Sequence, residues 1–468
     1  MRHYPHALFI VAVACASPKT DAAGPKPPNP PTGPLAGFWK SDGYGFVFAA
    51  DADTLRAYEV TQKTCVVSFK ASKLAQSRPG AESAYTADGD VFLVKAGPDA
   101  AVKRLHNDGA ASDMVIRRIA SLPPVCSPPT PDTPAGNFEV FAETWAEHYI
   151  LFDQKKADWP AVVANARAKV SPDTKPAALF GMLSAMISPF DDAHTSIRAT
   201  SINKSFGALR KGTDRVIKHR NEFVAKDMPG ILRGTDRKLA GPLRRFCNDQ
   251  VQYGHLNDST GYLRLLSESN YVKDSGFAAG LTALEAALDT IFTDPKLKGL
   301  VIDVRINFGG ADPYGLALAA RLTTAAYLAY SKEARLDPVD RTKWTPGQPS
   351  LVQPSPRPGF RGPVVELIGP LTISAGETTT QALMGRMPKV LRIGENTQGV
   401  FSDVLGRKLP NGWSFGLPNE VFRASDGATF DGPGIPPDIA VAVFAARDLA
   451  AGRDPGLDRS LAELYRNR

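Results

Sequence analysis

The sequence has little cysteine, no long apolar run and no strong net charge, and each shortage excludes a class of protein. Its four cysteines (Cys15, Cys65, Cys126 and Cys247) are too widely separated for a zinc site, and no His/Asp cluster has ligand spacing, so we expect neither a metal nor another cofactor. The net charge of +7 is spread over 468 residues without any RNA- or DNA-binding motif, which argues against a nucleic-acid partner.

The apolar run near the start, residues 8–14, is far too short to span a bilayer and follows a basic Arg2, as in an export signal over residues 1–15. The segment from Ala12 to Cys15 resembles a bacterial lipoprotein cleavage box, which would place a lipid on Cys15. The alternative is a plain secretory signal cut nearby. We therefore expect an exported bacterial protein, periplasmic or tethered to a membrane only through that lipid.

Export would place the protein in an oxidising compartment, where Cys65 and Cys126 could form a disulfide and leave Cys247 over. Composition shifts and periodicity divide the rest of the chain into six parts. They are a flexible tether (16–34), a β-rich domain (35–126), a helical subdomain (135–200), a basic connecting segment (201–258), an α/β core (259–445) and a C-terminal tail helix (446–468). His106, in a His-Asn-Asp-Gly turn, is predicted to be solvated.

Ser374 is the first candidate site residue, because it lies between a β-branched buried strand and a helix. There the unpaired N–H groups of a helix start favour a developing negative charge, as an acyl-transfer nucleophile requires. The alternative is structural, because Ser374-x-x-Glu377 is also a capping box.

His194 and the pair Gly309-Gly310 are the other candidates. His194 follows a helix stop, on a loop of small polar residues, and loops fixed by helices commonly carry catalytic groups; the alternative is an exposed turn residue. Gly309 and Gly310 end a buried strand, where glycine permits close approach of a backbone N–H to a substrate; the alternative is a tight turn.

Six segments, in this order, resemble the C-terminal-processing (tail-specific) serine peptidases: 191–195 (Asp-Asp-Ala-His-Thr), 262–265, 301–310, 372–377, 393–399 and 434–439. The resemblance covers roughly 138 to 443. It implies an α/β core of the crotonase/ClpP-like kind, built of layered ββα units. The family's tail-binding PDZ module is not evident in this sequence.

The branch with a Ser/Lys pair places its lysine where this chain has Val400, so the sequence looks closer to the tricorn-core and interphotoreceptor retinoid-binding-protein branch. In tricorn-like enzymes a serine precedes the histidine and a glutamate stands near the Gly-x-x-Pro-Asp turn. Here these positions hold Ala193 and Asp431, and the resemblance implies that Asp431 orients His194.

The resulting hypothesis is a serine endopeptidase that acts on extended polypeptide through an acyl-enzyme. Ser374 is the nucleophile, His194 the base, and the N–H groups of Ala375 and Gly309 or Gly310 form the oxyanion hole. The alternative is a catalytically inactive binding protein on the same fold, holding a peptide or an apolar small ligand. A Ser/Lys peptidase using Lys389 or Lys408 would place its lysine away from the family's position.

Overall fold

A computed structural model describes residues 35–76, 78–207 and 223–466. The export signal with Cys15, the tether and part of the basic connecting segment lie outside these residues. Among the helices of the described ranges, none has the length and apolar character of a membrane-crossing segment.

The predicted β-rich domain is a closed barrel in which each strand pairs with the next and the first pairs with the last. Its strands are β1 (Gly37–Ser41), β2 (Phe46–Ala50), β3 (Thr54–Val60), β4 (Cys65–Lys73), β5 (Ser83–Ala87), β6 (Asp90–Ala96), β7 (Val102–Asn107) and β8 (Met114–Ile119). Trp39, Phe48 and Ile116 are buried in one apolar cluster of this barrel. His106 lies in β7 and bonds Asp113 at 2.9 Å, so the prediction of a solvated turn histidine was wrong.

Three helices form the helical subdomain: α1 (Pro134–His148), α2 (Trp159–Arg167) and α3 (Pro176–Ile187). Each begins with proline at its first or second position, and Thr133 caps α1 by accepting the N–H of Gly136. The aromatic side chains that recur every three or four residues along α1 are buried together, because that spacing places them on one helix face.

The remaining helices and strands build the core and its flanks. The helices are α4 (Met228–Asp236), α5 (Phe277–Phe292), α6 (Asp312–Ala320), α7 (Ala375–Met384), α8 (Ala446–Ala450) and α9 (Pro455–Arg466). The strands are β9 (Ser196–Ala199), β10 (Lys204–Gly207), β11 (Arg244–Phe246), β12 (Val251–Asn257), β13 (Thr260–Leu265), β14 (Gly299–Asp303), β15 (Ile306–Asn307), β16 (Tyr327–Ala334), β17 (Gln348–Val352), β18 (Val364–Ile368), β19 (Leu371–Thr372), β20 (Leu391–Gly394), β21 (Val404–Lys408), β22 (Ser414–Pro418), β23 (Glu420–Arg423) and β24 (Ile439–Ala440). The tail predicted as one helix (446–468) contains two helices, α8 and α9. They are separated around Gly452 (φ 62°), and α9 begins at Pro455.

The core sheet has seven strands in the order β11-β12-β13-β14-β18-β20-β24, parallel from β13 onward. Its central strands are fully buried, because helices cover both faces, as the near-continuous apolar runs predicted. Leu457 and Leu464 of α9 pack on one face against Val365 and Ile393. Leu284 and Leu288 of α5 belong to the cluster on the other side.

Three smaller sheets position the loops around the core. The two-stranded pair β15-β19 is parallel, with Asn307 beside Thr372, and it brings the chain after each strand to the same edge. A four-stranded sheet, β10-β9-β22-β21, joins the end of the helical subdomain to the C-terminal part of the core. A three-stranded sheet, β17-β16-β23, lies beside them.

Candidate active site

Ser374 occupies a strained turn between β19 and α7. Its backbone angles are φ 56° and ψ −119°, a region that residues with a Cβ rarely adopt. Its N–H donates to Glu377 Oε2 at 3.2 Å, whereas the N–H of Glu377 donates to the Ser374 carbonyl oxygen at 2.7 Å. Ser374 and Glu377 have the arrangement of the predicted capping box, and the Ser374 side chain is partly exposed. The capping box accounts for a serine at this helix start, but it does not account for the strained backbone of Ser374.

Gly309 (φ 79°) lies directly beside Ser374, and Gly310 (φ 152°) follows it against the backbone of Glu268. A Cβ on Gly309 would come within 2.8 Å of Ser374 Cβ and 3.0 Å of Ala375 N, so only glycine fits there. The N–H of Gly309 already donates to Asn307 Oδ1 at 2.9 Å. Gly309 therefore serves as a close-packed spacer rather than as a free donor, and the N–H of Ala375 lies beside it.

His194 is partly buried on the loop between α3 and β9, and its Nδ1 atom is shielded from solvent. Its backbone N–H donates to Asp192 Oδ1 at 2.9 Å. The ring faces the backbone of Ser402 and the carboxylates of Asp192 and Asp403. Burial lowers the pKa of His194 from its ordinary value of 6.5, which favours the neutral imidazole that a general base requires.

The fold brings the His194 loop and the Ser374 turn to one apolar cluster. Ala193 and Ile373, the residues just before each candidate, both pack in the cluster that contains Val400 and Ile231. The pairing of β9 with β22 fixes the His194 loop against the C-terminal part of the core. Two segments 180 residues apart in the sequence thus share one neighbourhood.

Backbone N–H groups of the loop 399–403 connect the Ser374 turn to the surroundings of His194. Glu377 accepts the N–H groups of Gly399 at 2.6 Å and Val400 at 2.9 Å, in addition to that of Ser374. Burial raises the pKa of Glu377 to about 7. The same carboxylate therefore ties the Ser374 turn to the loop whose next residues face His194.

Asp431 is buried beside this loop, but it does not contact His194. Its Oδ1 accepts the N–H of Phe401 at 3.0 Å, and its Oδ2 accepts the Thr429 hydroxyl at 3.3 Å. Burial, with Glu377 and Asp192 nearby, raises the pKa of Asp431 to about 7. The contact between Asp431 and the imidazole that the family resemblance implied is not made in this structure.

A buried ionic cluster lies on the far side of the loop. Lys332, almost fully buried, pairs with Asp403 Oδ2 and lies 3.4 Å from Glu420 Oε2. Glu420 also accepts the hydroxyl of Tyr44, from the barrel, at 2.5 Å. The barrel thus contributes a side chain to a network that includes Asp403, whose carboxylate lies near the His194 ring.

The cysteines and the two alternative lysines are placed away from this neighbourhood. Cys65 and Cys126 form a disulfide with Cα atoms 5.0 Å apart, and Cys247 is a free, buried thiol. Lys389 pairs with Asp438, and Lys408 Nζ donates to the carbonyl oxygen of Ser68 on the barrel.

Sequence reasoning missed Asp192 and Lys332. Asp192 stands two residues before His194, so an Asp-x-His pattern on a helix-ending loop was the available signal. Lys332 lies on a β-strand with no motif around it, and nothing in the sequence pairs it with Asp403 or Glu420. Within the described ranges, no group of three or more His, Cys, Asp or Glu side chains could hold a metal ion.

Residues 259–441 match the family model of Peptidase family S41. The solved structure of a candidate peptidase from Parabacteroides merdae is 23% identical, with a TM-score of 0.58, over 71% of this chain and 97% of that one. The structure of mature CPAF complexed with lactacystin is 13% identical, with a TM-score of 0.54, over 72% of this chain and 99% of that one. None of the curated protein sequences is similar enough to be matched. These structural likenesses show a shared fold.

Proposed function

We propose that this chain, with its peptidase family S41 domain over residues 259–441, is an exported serine endopeptidase that hydrolyses peptide bonds in extended polypeptides. The observation that carries the proposal is the backbone of Ser374, at φ 56° and ψ −119°. A residue with a Cβ in this region costs about 1–3 kcal/mol, and such strain concentrates at active sites. A capping box does not require this backbone, because N-cap residues ordinarily lie in the extended region.

The reaction begins with Ser374 and His194. Ser374 Oγ bonds to the carbonyl carbon of the scissile peptide while its proton passes to His194. When the tetrahedral intermediate collapses, the C–N bond breaks and His194 gives the proton to the leaving amine. Water then attacks the acyl-enzyme by the same route and releases a carboxylate product and free Ser374.

The negative oxygen of each tetrahedral intermediate would be bound by the N–H groups of Gly310 and Ala375. Ala375 is the first residue of α7, where the helix dipole adds to the hydrogen bond. Asn307 supports this arrangement indirectly, because it holds the N–H of Gly309 and packs against Gly376.

Labelling with a fluorophosphonate tests the proposal. Wild-type protein is expected to be labelled, and Ser374→Ala is expected to lose both labelling and peptide cleavage, by about 10⁴-fold or more in rate. Ser275→Ala is the matched control, because Ser275 is exposed two residues before α5 and should leave both readouts unchanged. Labelling that persists in Ser374→Ala would overturn the assignment.

A non-catalytic binding protein on the same fold is the second candidate. It is favoured by the engagement of Asp431 with Phe401 and Thr429, which leaves His194 without the orienting carboxylate that the family resemblance implies. The same labelling experiment separates the two, because a binding protein would remain unlabelled at every pH between 5 and 9.

A further inference from the structure

The carboxylate of Asp192 is fixed from two sides. Asp192 is 1% exposed. Its Oδ1 accepts the backbone N–H of His194 at 2.9 Å, and its Oδ2 accepts the hydroxyl of Tyr149 at 3.2 Å. No lysine or arginine among the residues that the structure describes forms an ion pair with it. Two neutral donors therefore fix this buried carboxylate in place within the His194 loop.

Tyr149 is itself held rigidly. It follows α1, is fully buried, and its ring lies 4.8 Å from those of Trp145 and Phe152 and 5.1 Å from that of Phe190. The hydroxyl is the polar end of this aromatic cluster, and it points at Asp192. The helical subdomain therefore positions the His194 loop through one hydrogen bond from its core.

Two carboxylates, those of Asp192 and Asp403, lie near the imidazole. Asp192 lies on its own loop, and Asp403 faces it from the loop before β21. Asp403 is half-exposed and neutralised by Lys332. Asp431 is near Asp192 but bonds Phe401. Of the three carboxylates, Asp192 alone holds the His194 backbone and has no cationic partner within the described part of the chain.

We infer that Asp192, oriented by Tyr149, is the positioning residue that stabilises the His194 imidazolium while it holds the proton of Ser374. The inference rests on the proposed function for its catalytic meaning. It gives Asp192 the electrostatic role that the family resemblance assigned to Asp431. Asp431 instead holds the loop 399–403 through Phe401.

Asp192→Asn is the decisive variant, because asparagine keeps an oxygen for the His194 N–H, removes the charge and replaces the acceptor of the Tyr149 hydroxyl by an NH2 group. Asp191→Asn is its matched control, with the same change in charge one residue away. Asp191 has φ 49°, which asparagine tolerates well. Tyr149→Phe removes the second hydrogen bond, and Asp431→Asn tests the competing carboxylate.

The first measurement is the titration of His194 by NMR of histidine-labelled folded protein, assigned with His194→Gln. Removal of a negative neighbour destabilises the imidazolium, so Asp192→Asn should lower the pKa of His194 by about one unit. Asp191→Asn and Asp431→Asn should change it by less than half as much. A pKa of His194 that is unchanged in Asp192→Asn would overturn the inference, whether or not the protein is an enzyme.

The second measurement is the pH profile of peptide cleavage. Asp192→Asn should lower kcat by about 100-fold or more with KM nearly unchanged, and move the acid limb of kcat/KM to lower pH. Tyr149→Phe should lower kcat less, by about 3- to 10-fold. If Asp192→Asn retains wild-type kcat while Asp431→Asn loses it, Asp431 is the orienting carboxylate. If the wild type never cleaves or labels but the titration shifts, the charge coupling stands and the proposed function fails.

Discussion

Tyr44, in the turn between the first two strands of the barrel, donates its hydroxyl to Glu420 of the core at 2.5 Å, across 376 residues of sequence. Glu420 is 2% exposed and lies 3.4 Å from Lys332 Nζ, which also pairs with Asp403 beside His194. The barrel is therefore joined to the neighbourhood of the candidate site through buried polar groups. Such contacts are costly to leave incomplete.

Tyr44→Phe should weaken this connection without disturbing the barrel. A hydrogen bond to a charged group is worth about 1.5–3 kcal/mol, so we expect a loss of about that size in the free energy of unfolding, together with lower activity. Chemical denaturation and peptide cleavage measure the two effects. Tyr58→Phe, at a buried tyrosine of the same barrel, is the control. Equal behaviour of the two variants would contradict a special role for Tyr44.

Ser374→Gly should separate stability from activity. Glycine adopts φ 56° without strain, whereas alanine does not, so Ser374→Gly should be more stable than Ser374→Ala by about 1 kcal/mol. Both variants should lack activity. Thermal or urea denaturation of the pair tests this, and an alanine variant as stable as the glycine variant would show that the turn is unstrained.

Gly309→Ala should reduce activity by about 100-fold or more while the protein still folds. The added Cβ would lie 2.8 Å from Ser374 Cβ and would displace Ser374. A small displacement of a nucleophile strongly lowers the reaction rate. Gly241→Ala is the control, since nothing lies within 4 Å of its added Cβ. Full cleavage activity in Gly309→Ala would disprove the tight packing of these two residues.

Glu366 should make the protein less stable as the pH rises. Burial raises the pKa of its carboxyl to about 8, against 4.5 ordinarily, and its Oε2 has no partner among the described residues. The unfolded chain releases this proton near pH 4.5 but the folded chain only near pH 8. The stability that Glu366 contributes is therefore fully present below pH 4.5 and is lost as the pH rises toward 8.

Glu366→Gln stays neutral at every pH and should remove this loss. We expect the variant to gain roughly 1–3 kcal/mol relative to wild type between pH 5 and pH 8, measured by urea denaturation at each pH. Glu82→Gln, at an exposed position on the barrel, should show no such gain. A Gln variant whose stability follows that of the wild type across this range would refute the raised pKa.

The disulfide between Cys65 and Cys126 closes a loop of 61 residues around most of the barrel. Loop-closure entropy predicts that its removal costs about 4 kcal/mol. Cys65→Ala with Cys126→Ala should therefore unfold at lower urea concentration, and wild type in reductant should behave likewise. Cys247→Ala, which removes a buried free thiol, should keep the sensitivity to reductant.

The sequence by itself determined the elements with strong local signals. Helix α3 (Pro176–Ile187) lies within the helical subdomain predicted over 135–200, because its proline start and continuous apolar period leave few alternatives. The strand ending before Ser374 and the glycine pair were found for the same reason, since buried β-branched runs and glycines mark local backbone needs. His106 was misassigned because a turn-like pattern was overridden by pairing with neighbouring strands.

Only the tertiary structure decided which side chains meet. Three of these contacts join residues that no periodicity or motif relates: Asp192 with Tyr149, Lys332 with Asp403, and Tyr44 with Glu420. The sequence predicted that the N–H of Gly309 could bind an oxyanion, but in the structure it donates to Asn307 Oδ1. Local sequence sets backbone conformation, but contacts between distant side chains depend on how sheets and helices pack, and packing is a property of the whole chain.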